Sequence, residues 1–83
     1  MKSIKEPIGI LGGSFDPPHN GHIKISKISL KKLDLKKLYW VITEKNPFKN
    51  KPYFNIYTRI SKSKKLIKNL KKIEILFLDK KVR

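Results

Sequence analysis

GILGGSFDPPHNGH, residues 9–22, holds all four glycines of the 83-residue chain, both of its histidines and two of its five prolines. It lies where a short apolar run gives way to a helical pattern. The run PIGILG, residues 7–12, lacks the polar alternation of a half-exposed strand and is too short for a helix, so it reads as a fully buried parallel strand. From Asn20 to about Leu33, the residues Ile23, Ile25, Ile28, Leu30 and Leu33 recur at mostly helical spacings, with Asn20 placed to cap the helix. A strand that enters a helix through a glycine turn is the start of an α/β unit.

The rest of the chain continues that unit. LYWVIT, residues 38–43, is rich in aromatic and β-branched residues and forms a second buried strand. EKNPFKNKPYF, residues 44–54, is marked as a loop by its prolines and asparagines. Ile56, Ile60, Ser63, Ile67 and Leu70 then share one face of a helix that Asn55 would cap. IEILFL, residues 73–78, supplies a third strand. The order β-α-β-α-β specifies an α/β fold with a Rossmann-like parallel sheet, and right-handed crossovers set its strand order at 3-2-1. The most apolar strand, the first, is then left at an edge, where soluble proteins avoid an unpaired apolar strand. The expectation is an incomplete sheet. Residues 1–83 would be the N-terminal part of a single domain, and the open edge of the first strand invites self-association or a partner.

Composition narrows the class. Without cysteine there are no disulfides or thiolate metal sites. No run approaches the roughly 18 apolar residues of a spanning helix, and the N-terminus has a charge inside what would be a signal core, so a cytoplasmic protein with no membrane role is expected. The net charge of +15 suggests a polyanionic partner. All basic residues except Arg59 and Arg83 are lysines, however, and they are spread along the whole chain. Solvated faces are therefore favoured over a nucleic-acid surface, which would concentrate arginine.

The turn carries the chemistry. A strand ending at Gly12 and Gly13, followed by a helix from Asn20, gathers unpaired backbone N–H groups and a helix dipole at one point, which attracts phosphate. Gly12 and Gly13 would allow positive φ angles and close approach of a ligand, and Pro17 and Pro18 would stiffen the exit. His19 and His22 stand three residues apart, so both imidazoles can lie over one anion and stabilise the charge that develops during phosphoryl transfer. The stretch fits neither GxGxxG nor GxxxxGK[ST]. It contains no nucleophile with an adjacent base, so the site positions and stabilises rather than forming a covalent intermediate.

GGSFDPPHNGH, residues 12–22, resembles the G[ST]FDPxHxGH signature of the nucleotidyltransferase superfamily that includes nicotinate-nucleotide adenylyltransferase. Histidine at position 19 favours that branch over the phosphopantetheine adenylyltransferases. YWVITEKNPFKNK and RISKSKKLI are similar to the branch's second strand with its loop and to its next helix. The resemblance implies attack of the phosphate of nicotinate mononucleotide on the α-phosphorus of ATP, giving deamido-NAD and pyrophosphate, with Mg2+ carried by ATP. By position, His19 and His22 would be catalytic. Gly12, Gly13, Ser14 and Phe15 would present backbone groups to the mononucleotide and the α-phosphate, and Gly21 would also belong to the nucleotide-binding residues. Lys49 would reach a phosphate, with Lys45 and Lys51 as rivals that spacing does not separate. Asp16 would orient the turn rather than hold a metal, and Tyr39 and Trp40 would serve the strand and core. The family's second signature, ISST followed by arginine, does not occur in the chain, so the 83 residues alone are expected to be inactive. The competing readings are another nucleotidyltransferase of the superfamily, such as phosphopantetheine adenylyltransferase, and a small basic nucleic-acid-binding protein.

Overall fold

Parallel pairing around one central strand organises the chain. The computed structural model describes residues 6–43 and 53–78. Its elements are β1 (Ile8–Gly13), α1 (Asn20–Lys32), β2 (Lys37–Thr43), α2 (Ile56–Leu66) and β3 (Ile73–Leu78). Strand β2 pairs in parallel with β1 on one side and β3 on the other, with Leu11 beside Trp40 and Trp40 beside Ile75. The order β1-β2-β3 is the expected 3-2-1 order viewed from the opposite edge.

Strand side chains alternate between faces, and here the two faces differ in cover. Leu38, Trp40 and Ile42 of β2 are buried on one face, together with Phe15, Leu35, Ile67 and Ile73. Ile23 and Leu30 of α1, and Ile56, Ile60 and Leu66 of α2, pack against the same cluster. Both helices thus cover one face. The expectation that β1 is fully buried fails for this reason: Ile8 and Ile10 point to the opposite face and are 55% and 68% exposed. On that face Lys37 and Glu74 form an ion pair at 2.6 Å.

Helix α1 also packs differently from its apolar pattern. Ile25, Ile28 and Leu33 are exposed, and the buried residue is Ser26. The five apolar positions are separated by steps of two and three residues, which do not keep one face of a 3.6-residue helix. Ile23, Ser26 and Leu30 do. Ser26 Oγ donates back to the His22 carbonyl at 2.7 Å and accepts from Trp40 Nε1 at 2.8 Å, which satisfies the indole N–H where no water reaches it.

The helix ends in a Schellman motif. The Leu35 N–H donates to the Leu30 carbonyl and the Asp34 N–H to the Lys31 carbonyl, with Asp34 in the left-handed region at φ 51°. The chain then turns straight into β2. Leu35 and Leu38 come so close to β1 that a Cβ at Gly9 would lie 2.7 and 2.9 Å from their Cδ1 atoms. Gly9 therefore serves close packing between the strand and the returning chain. Helix α2 starts as expected, with Asn55 Oδ1 accepting from the Thr58 N–H at 2.8 Å. It ends at Leu66, before the last residue of the expected apolar face, Leu70. Its buried residues include Arg59, which the apolar pattern does not indicate.

The Ser26–Trp40 bond gives a direct test. Ser26→Ala removes the acceptor and leaves a buried indole N–H unpaired, which should destabilise the chain by about 1–3 kcal/mol. Denaturant unfolding followed by the fluorescence of the single tryptophan reads this as a lower midpoint. An unchanged midpoint would show that the bond carries no stability.

Candidate functional site

The carboxyl end of β1 leads into the turn. No glycine of the described residues has a positive φ; Phe15 does, at 50°. The expectation for Gly12 and Gly13 is thus corrected, because both lie within β1 and are extended. Their small size has a different consequence. A Cβ on Gly12 would meet nothing within 4 Å, so the backbone there is open, while one on Gly13 would touch the Phe15 ring at 3.6 Å. Phe15 tolerates the sparsely populated backbone region because its side chain is anchored. The ring is buried and stacks on Trp40 with centroids 4.9 Å apart at 21°. Aromatic pairing of this kind contributes about 0.5–1.5 kcal/mol, comparable to the cost of a left-handed residue.

After the cis Asp16–Pro17 peptide and Pro18, the helix starts at Asn20 as expected, but its cap lies one residue earlier. His19, not Asn20, is the N-cap. His19 Nδ1 accepts the Gly21 N–H at 3.0 Å, and His22 Nδ1 accepts the His19 N–H at 3.0 Å. This is a capping box built from two imidazoles, in which each ring satisfies a backbone donor that the first helical turn leaves over. A ring nitrogen that accepts carries no proton, so the ring proton of each histidine lies on Nε2 in this arrangement. Each keeps its Nε2–H as a donor to a ligand.

Other groups hold this pair in place. The ring centroids lie 4.1 Å apart, and Phe15 backs His22 at 4.4 Å. A Cβ on Gly21 would come within 2.7 Å of His19 Cε1, so Gly21 makes room for the imidazole to fold back over the helix start. Burial, and next the nearby His19, hold the His22 pKa below the usual histidine value.

Around the start of α1 the structure brings Phe15, His19, Gly21 and His22 together, with Gly13 against the Phe15 ring and Gly12 and Ser14 adjoining in the chain. Lys49, Lys45 and Lys51 lie outside the described residues. Asp16 accepts the N–H groups of Tyr53 at 2.6 Å and Phe54 at 2.8 Å, so its carboxylate holds backbone. Among the described residues there is no group of three or more potential metal ligands. Sequence reasoning missed the side chain of Phe15 and the buried Arg59, which donates to the Ser14 carbonyl. The signal for Arg59 was present: a rare arginine in a lysine-rich chain, one turn before the buried Ser63 on the same helix face.

The histidine geometry fixes a pH dependence. His22 is depressed in the folded chain, so between its lowered pKa and the ordinary value near 6.5 the unfolded chain binds more protons. Stability should therefore fall as pH drops below about 6.5, and level off below the folded pKa. Denaturation midpoints from pH 8 to 5 check this. His22→Ala should flatten the dependence, and an equal slope in that variant would assign it elsewhere.

Residues 10–81 match the family model described as cytidylyltransferase-like. Over 82 residues the chain is 47% identical to a probable nicotinate-nucleotide adenylyltransferase of Pelagibacter ubique, covering 99% of this chain and 46% of the relative. Proteins of the same name from Endomicrobium trichonymphae and Ruegeria sp. are 48% identical over 68 residues and 45% over 60. These matches cover 82% and 72% of this chain, and 35% and 32% of the relatives, respectively. The chain thus spans less than half the length of the curated relatives it matches. A match over that much of its own length, on a turn with paired capping histidines, shows that the chain belongs to the cytidylyltransferase-like family.

Proposed function

We propose that the chain transfers the adenylyl group of ATP to nicotinate mononucleotide, in the cytoplasm, as the N-terminal part of a single Rossmann-like nucleotidyltransferase domain. The observation that carries this reading is the imidazole capping box. It sets two Nε2–H donors at a helix N-terminus, at the end of the turn that follows the open backbone of Gly12, where partial positive charge favours a polyphosphate. The names of the relatives supply the acceptor.

In the reaction, a phosphate oxygen of the mononucleotide bonds to the α-phosphorus of ATP as the bond from that phosphorus to the bridging oxygen breaks, releasing pyrophosphate. His19 and His22 donate hydrogen bonds to phosphate oxygens as charge grows on them. Backbone groups of Gly12, Gly13, Ser14 and Phe15 orient the mononucleotide and the α-phosphate, and Lys49 steadies a phosphate. Magnesium arrives on the triphosphate as part of the substrate. Both Asp16 oxygens already accept backbone N–H groups, which suits an ion brought by the nucleotide. No described helix is long and apolar enough to cross a membrane. The edge of β1 opposite β2 offers backbone groups through which a second copy or the remaining part of a domain would extend the sheet. With one wall of the crevice, the 83 residues by themselves should bind nucleotide without measurable turnover. Sustained pyrophosphate release would refute that part of the proposal.

The test is a titration with magnesium-ATP. Each histidine removed should weaken binding about tenfold, as expected for loss of a hydrogen bond to a charged group, and His19→Ala with His22→Ala together should abolish saturation. Gly21→Ala should behave like His19→Ala while the circular dichroism spectrum stays the same, since the added methyl displaces the His19 ring. Binding that survives both histidine substitutions would move the reading to the lysine surface and to nucleic acid, with its steep dependence on salt.

A further inference from the structure

Arg59 is 1% exposed, and it faces backbone. Its Nη1 donates to the carbonyls of Ser14 and Thr43, each at 2.9 Å, and its Nε to the carbonyl of Phe54 at 3.0 Å. These carbonyls belong to the first residue after β1, the last of β2, and the residue before the N-cap of α2. From the other side, the Asp16 carboxylate accepts the N–H of Phe54 as well as that of Tyr53. Phe54 is thus held at both of its backbone polar groups, by residues of opposite charge. Ser14 and Asp16 both stand in the turn, so the turn is tied to the approach of α2 at two points.

The chemistry explains why an arginine stands here. Strand ends leave carbonyls that the ladder does not pair, and burying them without a donor is costly. A guanidinium presents five N–H groups in a rigid planar fork and can serve several carbonyls at once, which a lysine ammonium does less well.

We propose that Arg59 is a positioning residue of the nucleotide site: with Asp16 it clamps Phe54, and so fixes Ser14 and Phe15 relative to His19 and His22. What the turn binds rests on the adenylyl-transfer reading; the clamp itself does not. A residue that served only the core would lower stability and leave the affinity of the folded chain unchanged.

The experiment is hydrogen exchange and magnesium-ATP titration by NMR on the 83-residue chain, on Arg59→Lys and on Asp16→Asn. The second variant retains the arginine and so guards against loss of folding in the first. In Asp16→Asn the Arg59 Nε–H should exchange about tenfold faster, although Asp16 accepts from Tyr53 and Phe54. In Arg59→Lys the Tyr53 and Phe54 amides should lose protection while those of β2 keep theirs. ATP affinity should fall about tenfold in each variant, and the double variant should be no weaker than the weaker single, as expected for two residues acting through one clamp. The proposal is overturned if the Arg59 Nε–H is unaffected by Asp16→Asn, if protection is lost equally throughout the sheet, or if the folded variants bind ATP like the parent. Should the parent itself bind no ATP, the adenylyl-transfer reading fails, and the exchange pattern alone decides the clamp.

Discussion

The burial of Trp40 is the constraint on which the other parts depend. Its indole lies at the centre of the middle strand with 0% exposure, and its N–H must find a partner there. Ser26 provides it, which fixes the rotation of α1 about its own axis. The face of the indole receives Phe15, which fixes the turn. The ring of Phe15 in turn supports His22. One core side chain thereby sets the helix, the turn and a histidine of the site, and packing and chemistry meet within a few ångströms.

The start of α1 shows how function can occupy a structural position. Helix N-termini are usually capped by serine, threonine, aspartate or asparagine. Here two imidazoles do the capping, and there is no acidic residue in the first turn to compete with an incoming anion. Because Nδ1 of each ring is engaged with backbone, the tautomer and direction of the remaining N–H follow from the helix itself. A polyphosphate favours the charged imidazole, whereas the burial of His22 and its neighbour His19 favour the neutral one.

Cover of the sheet is uneven. Both helices pack on one face, while Ile8 and Ile10 on the other are more than half exposed. Small domains bury too little surface to leave such residues open without a loss of stability. Arg59 holds the carbonyls at the carboxyl ends of both β1 and β2, so the buried cation belongs to the architecture as well as to the turn.

By itself the sequence determined the succession of elements, the three strands within a residue, the Asn55 cap and the turn with its two histidines. These rest on local periodicity, cap chemistry and a contiguous motif, all of which are short-range. The tertiary structure alone decided the face of α1 that is buried, the exposure of one side of β1, the residue that adopts the left-handed conformation, and the role of Arg59. Ser26 is polar, and only the distant Trp40 makes it a core residue. Phe15, rather than a glycine, takes the positive φ because its ring gains a stacking partner from another strand. Arg59 meets Ser14, 45 positions away, and no local pattern encodes a contact that exists only once the sheet has brought the strand ends together.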